Sequence, residues 1–396
     1  MRAGHSLGQR LREVLDYGRV SGVIDDQRLQ PIVPDYAGAN VRGIIPAILG
    51  PVAWQRSLPD WMPPELAEAE QVVLLVLDGL GWDQLNEHAH LMPTIAGLDA
   101  RRITTVAPTT TATALTSIAT GLTPGEHGVV GYRLVLGGEV VNMLRWTHDG
   151  ADRRRSQPPS DIQRYPAFLG EPIPVVSPAE LCTTAFSEAH LRGSRPVAIR
   201  ATSSLAIEIR QELEAGERFV YAYYGGVDRI AHERGFGEYF DAELRAADRL
   251  VGDILDVLPA GAMLLVTSDH GQVAVGDRIV TPTSELLSLV SMQSGEGRFR
   301  WFHARRGALD DLVTAVEEEL GDTGWVRTKA QLIEEEWFGP TLAPPIAARL
   351  GDVAVIARAP VSYFDPDDSG PFELICRHGS LTSAEVYVPL LAGRPH

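Results

Sequence analysis

Three acidic residues stand directly behind apolar runs. QVVLLVL at residues 71–77 ends in Asp78, FVYAYY at 219–224 leads through two glycines to Asp228, and GAMLLVT at 261–267 leads to Asp269 and His270. One Asp behind a strand commonly caps the next helix. Three, one of them followed at once by His, would gather oxygen and nitrogen donors along one edge of a sheet. Asp228 and His232 are four residues apart, so a helical turn puts them on one side. Taken alone, that spacing is more simply an ion pair on a surface helix. Together, three Asp and two His make a donor set suited to zinc or a similar divalent ion. Residues 107–122, APTTTATALTSIATGL, read as a loop entering a short helix that ends at Gly121. A hydroxyl at a helix N-terminus faces free N–H groups, a natural place for a phosphate-like anion. A threonine cap on a tightly packed small-residue helix explains the same letters.

The elements that must position these residues follow from the same runs. Each is short, nearly continuous in apolar residues and rich in β-branched or aromatic types, the pattern of strands buried on both faces of a parallel sheet. Residues 353–357 (VAVIA) and 386–391 (VYVPLL) are weaker versions, and Pro389 puts the last near an edge. Helical spacing of apolar residues predicts helices over 205–213, 238–258 and 309–320. Strands alternating with helices give an α/β fold with a mainly parallel sheet. The expected arrangement is one α/β domain over 1–396, with a core at about 66–132, 196–273 and 352–396. Insertions at 133–195, around a helical stretch at 179–191, and at 274–351 would cap it. The first sixty residues read as a short helix and then a proline-containing extended segment over the core.

Composition narrows the function. The chain has 396 residues, 44% hydrophobic and 22% charged, with a formal net charge of −17. No basic cluster suits a nucleic-acid coat protein or a polybasic membrane binder, so an anionic ligand would need bound cations to hold it. Cys182 and Cys376 form no CxxC pair, which excludes a thiolate zinc site and a disulfide framework. Neither an apolar leader segment nor a membrane-spanning run is visible, and a cytoplasmic protein is expected. Oligomeric state is not legible.

Combined, these pieces resemble the alkaline phosphatase superfamily, and within it the nucleotide pyrophosphatase/phosphodiesterase branch. Asp78 behind the first strand looks like that family's opening ligand motif. PTTTATALTSIATGL is similar to a family segment of the form PT-x-T-FPN followed by TGL, and the ungapped alignment puts the nucleophile on Thr111. Gly125-Glu126-His127-Gly128 resembles the family's HG stretch. Asp228-x-x-x-His232, Asp269-His270-Gly271 and Arg377-His378-Gly379 match the later ligand motifs in order. The resemblance implies a doubly wound, mainly parallel sheet with helices on both faces and cap insertions. It implies two divalent metal ions, zinc by expectation. Asp78, Asp269 and His270 would hold one, with Thr111 at the open position; Asp228, His232 and His378 would hold the other. The implied reaction is cleavage of phosphodiester or pyrophosphate bonds through a covalent phospho-threonine, on a small phosphorylated substrate such as a nucleotide.

The sequence departs from that family at two places. FPN is replaced by Ala112-Thr113-Ala114, and the branch's phosphoryl-binding Asn is replaced by Tyr132. A phenol can donate the same hydrogen bond or simply pack beneath the cap. The adjacent Arg133 could reach a terminal phosphate. Tyr132 therefore motivates a phosphomonoesterase or phosphonate hydrolase of the same superfamily as the alternative. A catalytically silent metal- or ligand-binding protein is the alternative of another class, against which the complete ligand set counts. His127 reads as a histidine fixing its turn. Phe299, Trp301 and Phe302, interleaved with Arg298 and Arg300, could stack a base but suit a cap strand better.

Overall fold

The computed structural model describes residues 30–50, 58–368 and 373–395. The chain divides into two units, Met1–Pro31 and Ile32–His396, and every element below belongs to the second. The helix expected at the start of the chain lies outside the described residues. Farther along, the short helix Ile44–Leu49 does pack into the core through Ile44 and Ile45.

Seven strands build the central sheet: β1 (Gln71–Leu77), β2 (Asp99–Thr104), β3 (Pro174–Pro178), β4 (Arg195–Ile199), β5 (Phe219–Tyr224), β6 (Ala262–Thr267) and β7 (Tyr387–Gly393). Their order is β2-β7-β6-β1-β5-β3-β4. The run from β6 to β4 is parallel, and β7 lies antiparallel to both β6 and β2. Parallel neighbours need crossovers, and these place α1 (Thr111–Thr120), α2 (Ala185–His190), α3 (Leu205–Glu214), α4 (Gly226–Arg234) and α5 (Glu238–Val257) around the sheet. Both faces are therefore apolar. Val72, Leu74 and Val76 of β1 join α1 and α2 in one core cluster, while Val73, Leu75 and Leu77 join α3 and α5 in the other. Along α5, Phe240, Leu244, Val251 and Ile254 repeat at helical spacing and are fully buried. Each such side chain contributes roughly 1.5–3 kcal/mol.

A second, antiparallel sheet has the order Val290–Glu296, Phe299–Ala304, Val353–Ala357, Gly324–Thr328. Helix Leu309–Leu320 packs on it through Leu312, Val316 and Leu320. Here the structure departs from the expected boundaries. The run 353–357, assigned by pattern to the main core, pairs instead with two strands of the cap. A short run buried on both faces reads the same in either sheet, and only its partners decide. Conversely, β3 lies inside the stretch 133–195 expected as an insertion, yet it is an interior strand of the main sheet. Its flanking prolines, Pro174 and Pro178, hide it from pattern reading. The remainder of that stretch includes a small antiparallel meander, 133–152. The helix expected over 179–191 is the shorter α2. Among the described residues, no helix is long and apolar enough to cross a membrane.

Candidate metal centre

β6, β1 and β5 are adjacent and point the same way, so whatever follows them emerges at one edge. Asp78 follows β1, Asp269 and His270 follow β6, and Asp228 lies in the first turn of α4, just beyond β5. β7 runs the opposite way, so the loop leading into it brings His378 to the same edge. Thr111 opens α1, at the end of the loop from β2. The turn after Asp78 depends on Gly79, whose φ is +78°. A Cβ there would sit 2.5 Å from Gln272 Nε2 and 2.9 Å from Asp228 Cα, so the β1 and α4 ends approach only around a glycine.

Asp78, Asp269 and His270 are sealed from solvent, with side chains 0–3% exposed. His270 Nε2 lies 3.6 Å from Asp78 Oδ1, 3.4 Å from Asp269 Oδ2 and 3.1 Å from Thr111 Oγ1. The opposite carboxylate oxygens are engaged. Tyr223 donates to Asp78 Oδ2, and the N–H groups of Gly79 and His270 donate to Asp269 Oδ1 at 3.1 and 3.0 Å. Asp78 Oδ1 and Asp269 Oδ2 have no hydrogen-bond partner, although both are buried.

Asp228, His232 and His378 form the second group. His232 Nε2 is 3.2 Å from both Asp228 Oδ1 and His378 Nε2, and His378 Nε2 is 3.9 Å from Asp228 Oδ1. The two groups adjoin: the His270 and His378 rings stack at 3.6 Å, and donor atoms of Asp228, His270 and His378 fall within 4.8 Å of one another.

All three imidazoles have the same orientation logic. Nδ1 of His232, His270 and His378 meets the carbonyl of Cys376, Gly271 and Thr109, at 2.6, 3.1 and 2.8 Å. A carbonyl only accepts, so each Nδ1 carries the proton and each Nε2 presents a lone pair to the centre. Lone pairs and carboxylates thus face one another. Among the described residues, the ion-pair partners of the three aspartates are histidines only. Burial, then Asp269 and Asp228, raises the Asp78 carboxyl well above its ordinary range, and burial raises Asp269 too. Burial, then His270 and His232, pushes His378 well below the imidazole range. A cavity wall this rich in uncompensated acceptors fits divalent cations and little else.

Thr111 is presented by an uncapped helix end. Thr110 occupies the N-cap position of α1 without bonding its own helix. Its hydroxyl bonds Glu296 of the second sheet instead, which leaves the first-turn N–H groups of α1 free to meet an anion. Burial raises the Glu296 carboxyl to about 8. Gly121 closes α1 in the left-handed conformation, φ +74°, as its place in the sequence implied.

The seven residues Asp78, Thr111, Asp228, His232, Asp269, His270 and His378 are thus brought together, while Tyr132 and Arg133 bond residues outside this group. Arg133 is buried and its guanidinium is held by Asp365, which also binds Arg300. Tyr132 Oη accepts from Asn142 Nδ2 at 2.6 Å, and burial raises its pKa. His127 is buried, accepts from Val129 N–H through Nδ1 and meets Ser117 Oγ through Nε2, so it fixes its turn. Arg298 and Arg300 are paired with Glu385 and with Asp365 and Asp368 in the cap.

Sequence reasoning passed over three supporting residues. Tyr223 reads as an ordinary strand aromatic, and Gln272, which donates to Asp228 Oδ1 at 3.0 Å, carries no pattern at all. Thr109 ties the loop before Thr111 to His378: its carbonyl accepts from His378, and its hydroxyl accepts from Gly379 N–H and donates to Ser380 O. The threonine triplet was the only available signal.

The sequence profile described as type I phosphodiesterase / nucleotide pyrophosphatase matches residues 72–380, a span that includes all seven residues. No curated protein matches the chain. Among solved structures, murine ectonucleotide pyrophosphatase / phosphodiesterase 5 superposes with a TM-score of 0.61 at 16% identity, covering 82% of this chain and 88% of that one. An inactive variant of the same murine protein, in complex with AMP, gives 0.60 at 15%, with coverage of 82% and 88%. Phosphonoacetate hydrolase from Sinorhizobium meliloti 1021, in complex with phosphonoformate, gives 0.60 at 17%, covering 83% and 91%. At such identities the likeness is one of fold.

Proposed function

Since the chain belongs to the type I phosphodiesterase / nucleotide pyrophosphatase family, we propose that it is a two-metal hydrolase of phosphodiester or pyrophosphate bonds with Thr111 as nucleophile. The observation that carries this reading is the pair of orphaned buried oxygens, Asp78 Oδ1 and Asp269 Oδ2, 3.6 and 3.4 Å from a histidine nitrogen that is itself 3.1 Å from Thr111 Oγ1. Asp78, Asp269 and His270 would hold one ion beside Thr111, and Asp228, His232 and His378 the other. Two divalent ions held there, zinc being the natural match to these N and O donors, would supply positive charge to favour the ionised threonine and to neutralise the phosphoryl and leaving oxygens.

The chain's own residues do the rest. Thr111 is held at the mouth of α1, whose free first-turn N–H groups receive a phosphoryl oxygen. The carbonyls of Cys376, Thr109 and Gly271 keep the imidazoles neutral and aimed. Attack on phosphorus leaves the phosphoryl group on Thr111 Oγ, and water then hydrolyses it. The AMP bound by the murine neighbour's variant supports a phosphoester of the nucleotide kind as the starting substrate class. Tyr132 is the reason to hold a phosphomonoesterase or phosphonate hydrolase as the second reading.

The test is hydrolysis of bis(4-nitrophenyl) phosphate and of 4-nitrophenyl phosphate by zinc-loaded protein and by Thr111→Ala. Diester cleavage that falls at least about 10³-fold in the variant is expected. Wild-type turnover by the variant refutes the role of Thr111, and a preference for the monoester favours the second reading.

A further inference from the structure

Beside Thr111, beneath α2, lies a cavity of about 160 Å³. Leu115, Leu181, Phe186 and Leu191 supply much of its wall, and none of its lining residues is acidic or carries a lysine or arginine. Most of its hydroxyls are engaged elsewhere. Tyr223 donates to Asp78, Ser187 donates to Leu181 O at 2.6 Å, and Thr184 accepts from Ser187 N at 3.0 Å. Two lining groups retain unused hydrogen-bonding capacity. Tyr221 Oη is buried without a partner. His190 donates Nδ1–H to the Phe186 carbonyl at 2.7 Å, which leaves Nε2 as an acceptor. An unpaired buried hydroxyl is a standing cost that a ligand atom would relieve.

We propose that this cavity holds the ester group that stays on phosphorus during transfer, and that it selects a small uncharged group, a short branched alkyl or a single aromatic ring with at most one hydrogen-bonding atom. The proposal rests on the hydrolase reading above and restricts one side of phosphorus: a nucleoside, where the substrate carries one, belongs to the leaving group and not to the group retained in this cavity. Size is the first argument: sites that enclose drug-sized ligands measure roughly 300–1,000 Å³, well above this cavity of about 160 Å³, which matches a group smaller than a nucleoside. Charge is the second: a carboxylate or second phosphate in this lining would be buried without a counter-charge. In the transfer, a bond forms between Thr111 Oγ and phosphorus as the bond from phosphorus to the leaving oxygen breaks, and the threonine proton passes to the departing alkoxide. Water then forms a new bond to phosphorus, the bond to Oγ breaks, and a proton returns to Thr111. The retained group leaves as its phosphate monoester.

The experiment compares 4-nitrophenyl phosphodiesters whose second alcohol is methanol, phenol, 3-hydroxypyridine or thymidine, with nitrophenolate release as the common readout. The phenyl ester is expected to exceed the thymidine ester at least tenfold in kcat/KM. Leu181→Trp, which fills the cavity, is expected to lower the phenyl-to-methyl ratio at least tenfold. Tyr221→Phe removes a buried hydroxyl that has no partner, so its Tm should not fall. It should abolish a preference for the pyridyl over the phenyl ester, and it decides the matter if Leu181→Trp does not fold. A thymidine ester cleaved as well as the phenyl ester, or no pyridyl preference that Tyr221→Phe removes, overturns the proposal alone. Failure to cleave any ester, methyl included, overturns the hydrolase reading and this one with it.

Discussion

The two ligand groups differ in charge and in access. Asp78, Asp269 and His270 put two carboxylates against one imidazole, with side chains at most 3% exposed. Asp228, His232 and His378 put one carboxylate against two imidazoles, with side chains 10–17% exposed. The first group carries more uncompensated negative charge in the drier place, so without a cation it costs the fold more and with one it binds harder. It also contacts the Thr111 hydroxyl, through His270 Nε2 at 3.1 Å. The second group is assembled partly from one turn of α4 and partly from a loop over a hundred residues away, and it stays open to solvent. On the proposed two-ion reading, the contrast teaches that one half of the centre retains its ion beside Thr111 and the other exchanges ligands.

The sharpest way to break this comparison is Asp269→Asn. Loss of about one ion per chain and a fall of about 10³-fold or more in kcat/KM are expected, measured by metal analysis and diester hydrolysis. Equal retention of both ions would erase the distinction. His232→Ala should weaken the second group's ion at least about 100-fold while excess zinc restores much of the activity. A weak chelator should likewise strip that ion first from the unaltered protein. Thr109→Val removes the hydroxyl that joins Gly379 and Ser380. About 1–3 kcal/mol of stability should be lost, together with a several-fold drop in affinity at the second group only, read by thermal unfolding and calorimetry.

The smallest effect is in the ion-free protein's pH profile, where the groups should pull in opposite directions. Asp78 is raised in the folded state, so its contribution is full below the ordinary carboxylate pKa and is lost as pH climbs through the raised value. His378 is lowered, so its contribution is full above the ordinary imidazole pKa and is lost as pH falls. Tm measured against pH should therefore lose its alkaline-side decline in Asp78→Asn and its acid-side decline in His378→Gln. A single variant that flattens both limbs would contradict separate groups.

Much of the centre could be read along the chain because its ligands follow short, strongly apolar strands. β1, β5 and β6 announce themselves through continuous burial, and parallel pairing then obliges Asp78, Asp228 and Asp269 to share an edge. Other parts were not legible for equally physical reasons. β3 is only five residues long and bracketed by prolines, so nothing in its letters marks an interior strand. Residues 353–357 look like any doubly buried strand, and only their pairing with 299–304 and 324–328 assigns them to the cap. Arg133 offers a free cation on paper, while the fold commits it to Asp365 from more than two hundred residues away.

The amino-acid order by itself determined the α/β alternation, which side chains could serve as metal donors and the threonine-led helix, because period, side-chain chemistry and short-range spacing are properties of local sequence. Tertiary structure alone decided which oxygen atoms go unpaired, which tautomer each imidazole adopts and how large a group can lie against Thr111. Those depend on carbonyls, walls and counter-charges delivered by distant segments, and no local pattern encodes where they arrive.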